Sequence, residues 1–443
     1  MKASPRKALH EGAERTLEGP ALSGPLPFTD DTAVVPPVSM TTFRSRIVYP
    51  VSAPPIEGGM VGIEQGKISA VGKWDGREAT DLGDVILMPG LINAHCHLDY
   101  SVMRGAIFPN TSFSQWIRRI NELKRTLSDD DYLESIRNGF DELLRHGTTS
   151  VFNIESFPEL MVRMPPPPIR TWWFYEMMDV RNRIHTEDVV AGALSFFEDR
   201  ADWPGGFGLS PHAPYTTSPD LYRLVRFCCE KYGMPFMTHL AESDEEFEMF
   251  RKARGPLHDF LKDLGRKRSD TGTLTPVARL LAENALPDGS LLTHMNFLEE
   301  EDWGLLRGKN FSVIHCPCCH EYFDRGPFPL ERFLREGFNV CLGTDSLASN
   351  RSLNMFAEMQ CAARRHPGIS PATFLEMATL NPAKAIGMGG RLGAISANAE
   401  VDLIAVPYSG PVENFGEAIL AHPGPVDWVM VGGCPSFQRS VEN

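Results

Sequence analysis

Short apolar runs alternate with longer stretches of helical periodicity over most of the chain. Apolar runs of four to eight residues between turn residues read as buried strands, and apolar residues recurring every three or four positions read as amphipathic helices. From about residue 85 to 390 the strand candidates are Val85–Met88 continuing toward His97, Thr148–Ile154, Ile169–Tyr175, Phe207–Pro211, Pro235–Leu240, Leu291–His294, Phe311–Cys316 and Val340–Asp345. Helical patterns such as Ser114–His146, Pro219–Tyr232, Pro276–Asn284 and Leu330–Glu336 lie between them. Eight strands with interleaved helices in roughly 300 residues predict an α/β fold, a (β/α)8 TIM barrel with insertions. A doubly wound sheet is the alternative. The sequence has no Gly-x-Gly-x-x-Gly after an early strand and no Walker loop, so a nucleotide cofactor finds no support.

The flanks read differently. Residues 41–84 and 391–443 carry short strands and turns, among them Met60–Glu64 and Lys67–Val71 around Gln65-Gly66, then Val401–Val406 and Val426–Val431. Two β-rich ends around a long middle predict a small β-sandwich domain built from both termini. Residues 1–39, rich in Pro, Ala, Gly, Glu and Ser, read as a flexible tail. Met40 stands immediately before a strand-like segment and is an alternative start.

Composition adds exclusions. The 443 residues hold 43 Lys+Arg against 57 Asp+Glu, a formal charge of −14, with 42% hydrophobic residues. That is a chain with a sizeable core, not a disordered one. Its acidity argues against nucleic-acid and anionic-membrane partners. No apolar run approaches the ~18 residues of a membrane span, and no apolar segment follows the N-terminal basic residues as a secretory signal requires. Nine cysteines, odd in number and sparse, do not form a disulfide framework, so a reducing cytoplasm is expected.

The chemistry lies at strand ends. His95 and His97 alternate with Cys96 at the end of the first barrel strand, so both imidazoles point to one side and can chelate one divalent metal. Alone, such a pair is more often two loop histidines. Here His212, His239, His294 and Asp345 fall at the ends of four later strands. Active sites of barrels sit at that face.

These segments resemble the amidohydrolase superfamily, in its branch of aminohydrolases and chlorohydrolases. The resemblance rests on Pro89-Gly90-Leu91-Ile92-Asn93-Ala94-His95-Cys96-His97, Pro211-His212-Ala213-Pro214-Tyr215, His239-Leu240-Ala241-Glu242, His294 and Gly343-Thr344-Asp345-Ser346-Leu347-Ala348-Ser349-Asn350. It covers the chain from about residue 41 onward. It implies that His95, His97, His239 and Asp345 ligate metal, that His294 holds the water or the tetrahedral intermediate, that Glu242 shuttles protons and that His212 contacts substrate. Ser346 and His320 are further substrate-contact candidates. Three imidazoles, one carboxylate and an open position make a catalytic site, and bound Zn²⁺ lowers the pKa of water to about 7. Binuclear members use a carboxylated lysine at the fourth strand end. Phe207–His212 has none, so one metal is expected, Zn²⁺ ahead of Fe²⁺.

The implied reaction is hydrolytic deamination of a small amino-heterocycle, an adenosine-like nucleoside such as aminofutalosine. Cyclic-amide or triazine and chloro-ring hydrolysis is the alternative, and an inactive metal-binding structural protein the alternative of another class. Related enzymes are often homodimers.

Several residues also have plain structural readings. Glu242 heads the acidic run Asp244, Glu245, Glu246 and suits a helix N-terminus. His146 suits a helix C-terminus, and His185, His258, His366 and His422 suit the surface. The segment His315-Cys316-Pro317-Cys318-Cys319-His320 lacks a second Cys cluster to close a structural zinc site. Cys316 reads as structural, and His320, Tyr322 and Phe323 as lining. Trp116, Trp172, Trp173 and Phe174 are candidates for base stacking or for core.

Overall fold

Eight short parallel strands carry the middle of the chain: β1 (Leu91–His97), β2 (Thr148–Glu155), β3 (Arg170–Met177), β4 (Gly205–Pro211), β5 (Met237–Leu240), β6 (Leu291–His294), β7 (Ser312–His315) and β8 (Asn339–Leu342). The computed structural model describes residues 40–108, 112–180, 185–266 and 269–438. The expected tail, 1–39, lies outside the described residues.

Strands β1 to β4 pair in sequence, as do β5 to β8. Hydrogen bonds cross both seams between the two sheets. On one side Leu209 N donates to Pro235 O (3.0 Å) and His239 N to His212 O (2.8 Å). On the other, Thr344 N donates to His95 O (3.0 Å), and Asp345-Ser346 pairs in parallel with Cys96-His97. The Asn93 side chain joins this seam, donating to Thr344 Oγ1 (2.8 Å) and accepting from Thr344 N (3.1 Å). The result is a TIM-barrel-like α/β arrangement. It brings strand ends far apart in sequence to one face.

The apolar runs fill the space the strands enclose. Ile92, Ala94, Phe152, Ile154, Trp172, Phe174 and Met237 form one buried cluster. Trp173 packs in a separate cluster with Phe140 and Leu143 of a covering helix. Trp172, Trp173 and Phe174 are therefore core.

Helix boundaries follow their caps. The pattern Ser114–His146 resolves into two helices, Phe113–Lys124 and Asp129–Arg145. The break lies where Ser128 and Asp131 form a capping box, satisfying N–H groups that the new helix would leave orphaned. Pro219–Tyr232 starts behind Ser218 and stops at Gly233, whose φ of 65° ends the helix in the left-handed region. His146 caps Asp129–Arg145 as expected, with Nδ1 2.9 Å from Glu142 O.

Both chain ends do join. They build one eight-stranded mixed sheet, in the order Cys434–Gln438, Trp428–Val431, Leu403–Pro407, Val85–Pro89, Thr41–Val48, Ile56–Glu64, Lys67–Lys73, with Thr80–Asp81 on Thr41–Val48. Val85–Pro89 belongs to this sheet and is not the beginning of the first barrel strand. It pairs with Leu403–Pro407 and with Thr41–Val48. An apolar run this short carries no mark of which sheet receives it.

Among the described residues no helix is long and apolar enough to cross a membrane. All nine cysteines are free thiols.

Candidate active site

The strand-end residues converge. Pairing between β1 and β2 shifts register between Asn93 and Cys96. Such an irregularity re-aims side chains. Ile92 and Ala94 join the internal apolar cluster, and past the shift it is His95 and His97 that turn toward the same space, His95 Nδ1 lying 3.4 Å from Met237 Sδ. His97 Nε2 is 3.4 Å from His239 Nε2. Asp345 Oδ1 is 3.7 Å from His95 Nε2 and 3.8 Å from His97 Nε2, and its Oδ2 is 4.0 Å from His294 Nε2.

These atoms fit a metal ion. Candidate ligand atoms of His95, His97 and His239 lie within 4.8 Å of one another, as do those of His95, His294 and Asp345. A tetrahedral ion with Zn–N bonds near 2.05 Å needs ligand pairs about 3.3 Å apart. His239 Nδ1 is 3.0 Å from His212 O, a bond that places its proton on Nδ1 and frees Nε2 for the cluster. His95 Nε2 and His294 Nε2 are buried without a hydrogen-bond partner among the described residues. Buried polar atoms are normally satisfied, so an ion in this cluster accounts for both. Burial pushes His95, His97 and His294 below the usual imidazole range, which keeps them neutral and able to ligate. Burial alone would raise Asp345; the surrounding imidazoles of His95, His294 and His97 oppose that and hold it well below the carboxylate range.

Asp345 is built in from the backbone. Its φ is 58°, and that of His294 is 80°, unusual for non-glycine residues. Such strain is held by surroundings and clusters at working sites. Ser346 N donates to Asp345 Oδ1 (2.7 Å) and Cys319 Sγ to Oδ2 (2.9 Å). Cys319 thus orients a candidate ligand. Gly343 makes the close approach of β8 to β1 possible. A Cβ there would lie 2.8 Å from His95 N and 2.9 Å from His95 O. Gly343→Ala is expected to destabilise by about 1–3 kcal/mol and to lower metal occupancy, because the backbone that must move carries His95. Thermal unfolding and metal analysis check this.

Glu242 faces the cluster. Its Oε1 is 3.8 Å from His294 Nε2 and accepts from Arg325 Nη2 at 3.0 Å. Arg325 and Glu242 are both buried, and the guanidinium lies 4.4 Å from the Phe323 ring centre. Burial raises Glu242, and Arg325 opposes the rise. The helix behind it, Asp244–Lys252, is capped by Ser243, while Glu246 accepts from the N–H groups of Ala241 and Glu242. The capping role thus falls to Ser243 and Glu246, and Glu242 is left for the site.

His97, Glu176, His212, His239, Glu242, His294, Asp345 and Ser346 line one cavity of about 560 Å³, with apolar walls from Phe113, Trp116, Leu257 and Phe260. Trp116 is on that wall and donates Nε1–H to Ala348 O (3.2 Å).

His320 is not on it. Its Nε2 lies 2.5 Å from Gly326 O and its Nδ1 3.2 Å from Asn296 Oδ1, so it braces the loop that delivers Arg325. The substrate contact expected of His320 is corrected to this bracing. Tyr322 and Phe323, read with it as lining, are not on the wall either: Tyr322 donates to Ile107 O (2.9 Å), and Phe323 packs beneath Arg325. His258 and His366, expected at the surface, are buried, His366 Nδ1 lying 2.9 Å from Glu331. Among the described residues the candidate ligand groupings fall in the cavity and none in the His315–His320 segment. No local motif marks Arg325 or Glu176, and the His315–His320 segment did not disclose the bond of Cys319 to Asp345.

A water nucleophile delivered to a small ring is the chemistry these groups suit, and a metal-dependent hydrolase is the class they define. Residues 86–434 match the amidohydrolase family, and the chain belongs to that family. It is 30% identical over 395 residues to a 5-methylthioadenosine/S-adenosylhomocysteine deaminase of Pyrococcus furiosus, covering 84% of this chain and 88% of that protein. Among solved structures it is similar to an adenosine deaminase from Xanthomonas campestris with bound zinc, at a TM-score of 0.77 and 25% identity, covering 90% and 93% of the two chains. Helicobacter pylori aminofutalosine deaminase shares the fold at a TM-score of 0.77 and 22% identity over 89% of this chain and 99% of that one.

Proposed function

We propose that this chain is a metal-dependent aminohydrolase that deaminates an adenosine-like nucleoside, aminofutalosine or a 5′-thioether relative of adenosine being the nearest candidates. The observation that carries the reading is Glu242, a buried carboxylate 3.8 Å from His294 on the wall of the cavity that holds the ligand cluster. His95, His97, His239 and Asp345 would hold the metal, with Zn²⁺ preferred because three of the four donors are imidazoles. When bound, such an ion makes a water nucleophile available at neutral pH. The parallel strands are read as one closed (β/α)8 barrel. A reducing compartment and a homodimer remain part of the reading.

The chain's own groups supply the rest. Glu242, raised by burial, holds a proton at neutral pH more readily than an exposed carboxylate does, and can donate it to a ring nitrogen. His294, neutral and unpartnered at Nε2, faces both Glu242 and Asp345 and can orient the attacking oxygen. Asp345, held ionised, is the acceptor for the water proton. The apolar wall excludes bulk water and matches a planar heterocycle.

A screen for ammonia release over purine nucleosides, pterins, cytosine and triazines tests the proposal. Turnover with ammonia from an adenosine-like nucleoside supports it. Chloride release or ring opening without ammonia would replace it with the triazine or cyclic-amide reading. Zinc binding with no turnover at all would leave a structural role.

Arg325 is the positioning residue for Glu242. Arg325→Met is expected to lower kcat more than it changes KM and to destabilise by ~3 kcal/mol, since it leaves a buried carboxyl unpaired. Arg325→Lys should restore part of both. Steady-state kinetics and denaturation decide the point.

A further inference from the structure

Two arginines converge on the loop that follows β4. Arg279, its side chain 2% exposed, donates from Nη1 to Pro214 O at 2.8 Å. Arg266, its side chain 8% exposed, donates from Nη2 to the same oxygen at 3.1 Å and from Nε to Tyr215 O at 2.8 Å. Two like charges out of water on one carbonyl cost stability unless an anion offsets them. Asp270 is that anion. Its Oδ2 accepts from Arg266 Nη2 at 2.7 Å and lies 3.1 Å from Arg279 Nη2, and its Oδ1 accepts from Arg266 Nη1 at 3.0 Å. Burial alone would raise this carboxyl, but Arg266 and Arg279 hold it below its usual range. Both guanidiniums also lie over the Phe250 ring, 5.6 and 5.2 Å from its centre.

The loop held there carries the carbonyl that orients His239. Two residues before Pro214, His212 O accepts from His239 N at 2.8 Å and from His239 Nδ1 at 3.0 Å. Upstream, the loop is tied to β3, where His212 N donates to Met177 O at 3.0 Å. Downstream it turns, with Thr216 N on Ala213 O at 3.0 Å, and the arginines hold the turn. A shift at Pro214 therefore reaches His212 O through a single intervening residue.

Resting on the metal-dependent reading above, we propose that Arg266, Asp270 and Arg279 are positioning residues for the metal site: by holding Pro214 O and Tyr215 O they fix His212 O, and through it the ring of His239. The partner of a ligating histidine's second nitrogen sets its ring orientation and its basicity. An arginine fork suits the task because it can hold a carboxylate and a carbonyl at once. Arg170, where β3 begins at the opposite end of the strands, is the matching structural case. Its Nε pairs with Asp402 at 2.7 Å and its Nη2 with Glu400 at 3.2 Å, and none of the three lines the cavity.

The test compares full-length wild type, Arg279→Met and Arg170→Met. Zinc Kd is read by competition with a chromophoric chelator, and amide hydrogen exchange by mass spectrometry on the metal-free proteins. Arg279→Met should weaken zinc about 10-fold, the lower end of the loss on removing an outer partner of a ligand. It should also speed exchange in peptides covering 212–216 and 237–241. Arg170→Met should lower the melting temperature and leave both readings unchanged. Arg279→Lys, which keeps the charge and one donor, should recover part of the affinity. Unchanged zinc affinity in a folded Arg279→Met, or an equal loss in Arg170→Met, overturns the positioning role. Should Arg279→Met fail to fold, Arg266→Met carries the same comparison, since it leaves Arg279 and Asp270 paired. A wild type that binds no zinc, with exchange at 212–216 and 237–241 still faster in Arg279→Met, would reject the metal reading and leave the clamp on the loop standing. Unchanged exchange there overturns the clamp whether or not zinc binds.

Discussion

Glu242→Gln is expected to bind metal as the wild type does and to lose about 10²- to 10⁴-fold in kcat, the usual contribution of a positioned acid–base group. The substitution preserves size and keeps an oxygen for Arg325 Nη2, which now reaches Glu242 Oε1 at 3.0 Å. It removes only the exchangeable proton. Glu242 belongs to neither candidate ligand grouping, so metal content should not change. KM should move little, because the group acts on the reacting ring and not on the rest of the substrate. Full activity in a zinc-loaded Glu242→Gln protein would remove Glu242 from the mechanism.

The second large effect is expected from Asp345→Asn. Asparagine keeps an oxygen for the Ser346 N–H, 2.7 Å from Oδ1, so the left-handed turn at φ 58° should survive. What disappears is the one anion among the candidate ligands. Zinc affinity should fall by more than the roughly 10- to 100-fold typical of losing an outer hydrogen-bond partner. Turnover should fall to that of chelator-treated wild type. Metal analysis after gel filtration, followed by an attempt to restore activity with excess zinc, checks both. Stoichiometric zinc and undiminished turnover would move the ligand role elsewhere.

How much was legible in the sequence depended on whether a signal was local. His95-Cys96-His97 was legible because a two-residue spacing on a strand puts two side chains on one side. His239, His294 and Asp345 were legible because each ends an apolar run, and barrel strand ends meet at one face. The register shift at Asn93–Cys96, which decides that His95 and His97 face inward, leaves no mark in the residues themselves. Val85–Pro89 was assigned to the wrong sheet because its partners, Thr41–Val48 and Leu403–Pro407, lie far away in sequence. Arg325 and Glu176 were missed for the same reason. Arg325 is 83 residues from Glu242, and Glu176 meets Ser156 and His212 just past the ends of other strands. His320 was overread, since a histidine beside a motif can be satisfied by a backbone carbonyl, as Gly326 O does here.

If one zinc held by His95, His97, His239 and Asp345 drives hydrolytic loss of an amino group from an adenosine-like nucleoside, a zinc titration of metal-free protein, following ammonia and 6-oxopurine product together, will show it. One ammonia per 6-oxopurine formed is expected, with activity that rises linearly to a plateau at one zinc per chain. Activity independent of zinc, a plateau at two, or fully loaded protein that forms no 6-oxopurine from any adenosine-like nucleoside would contradict it.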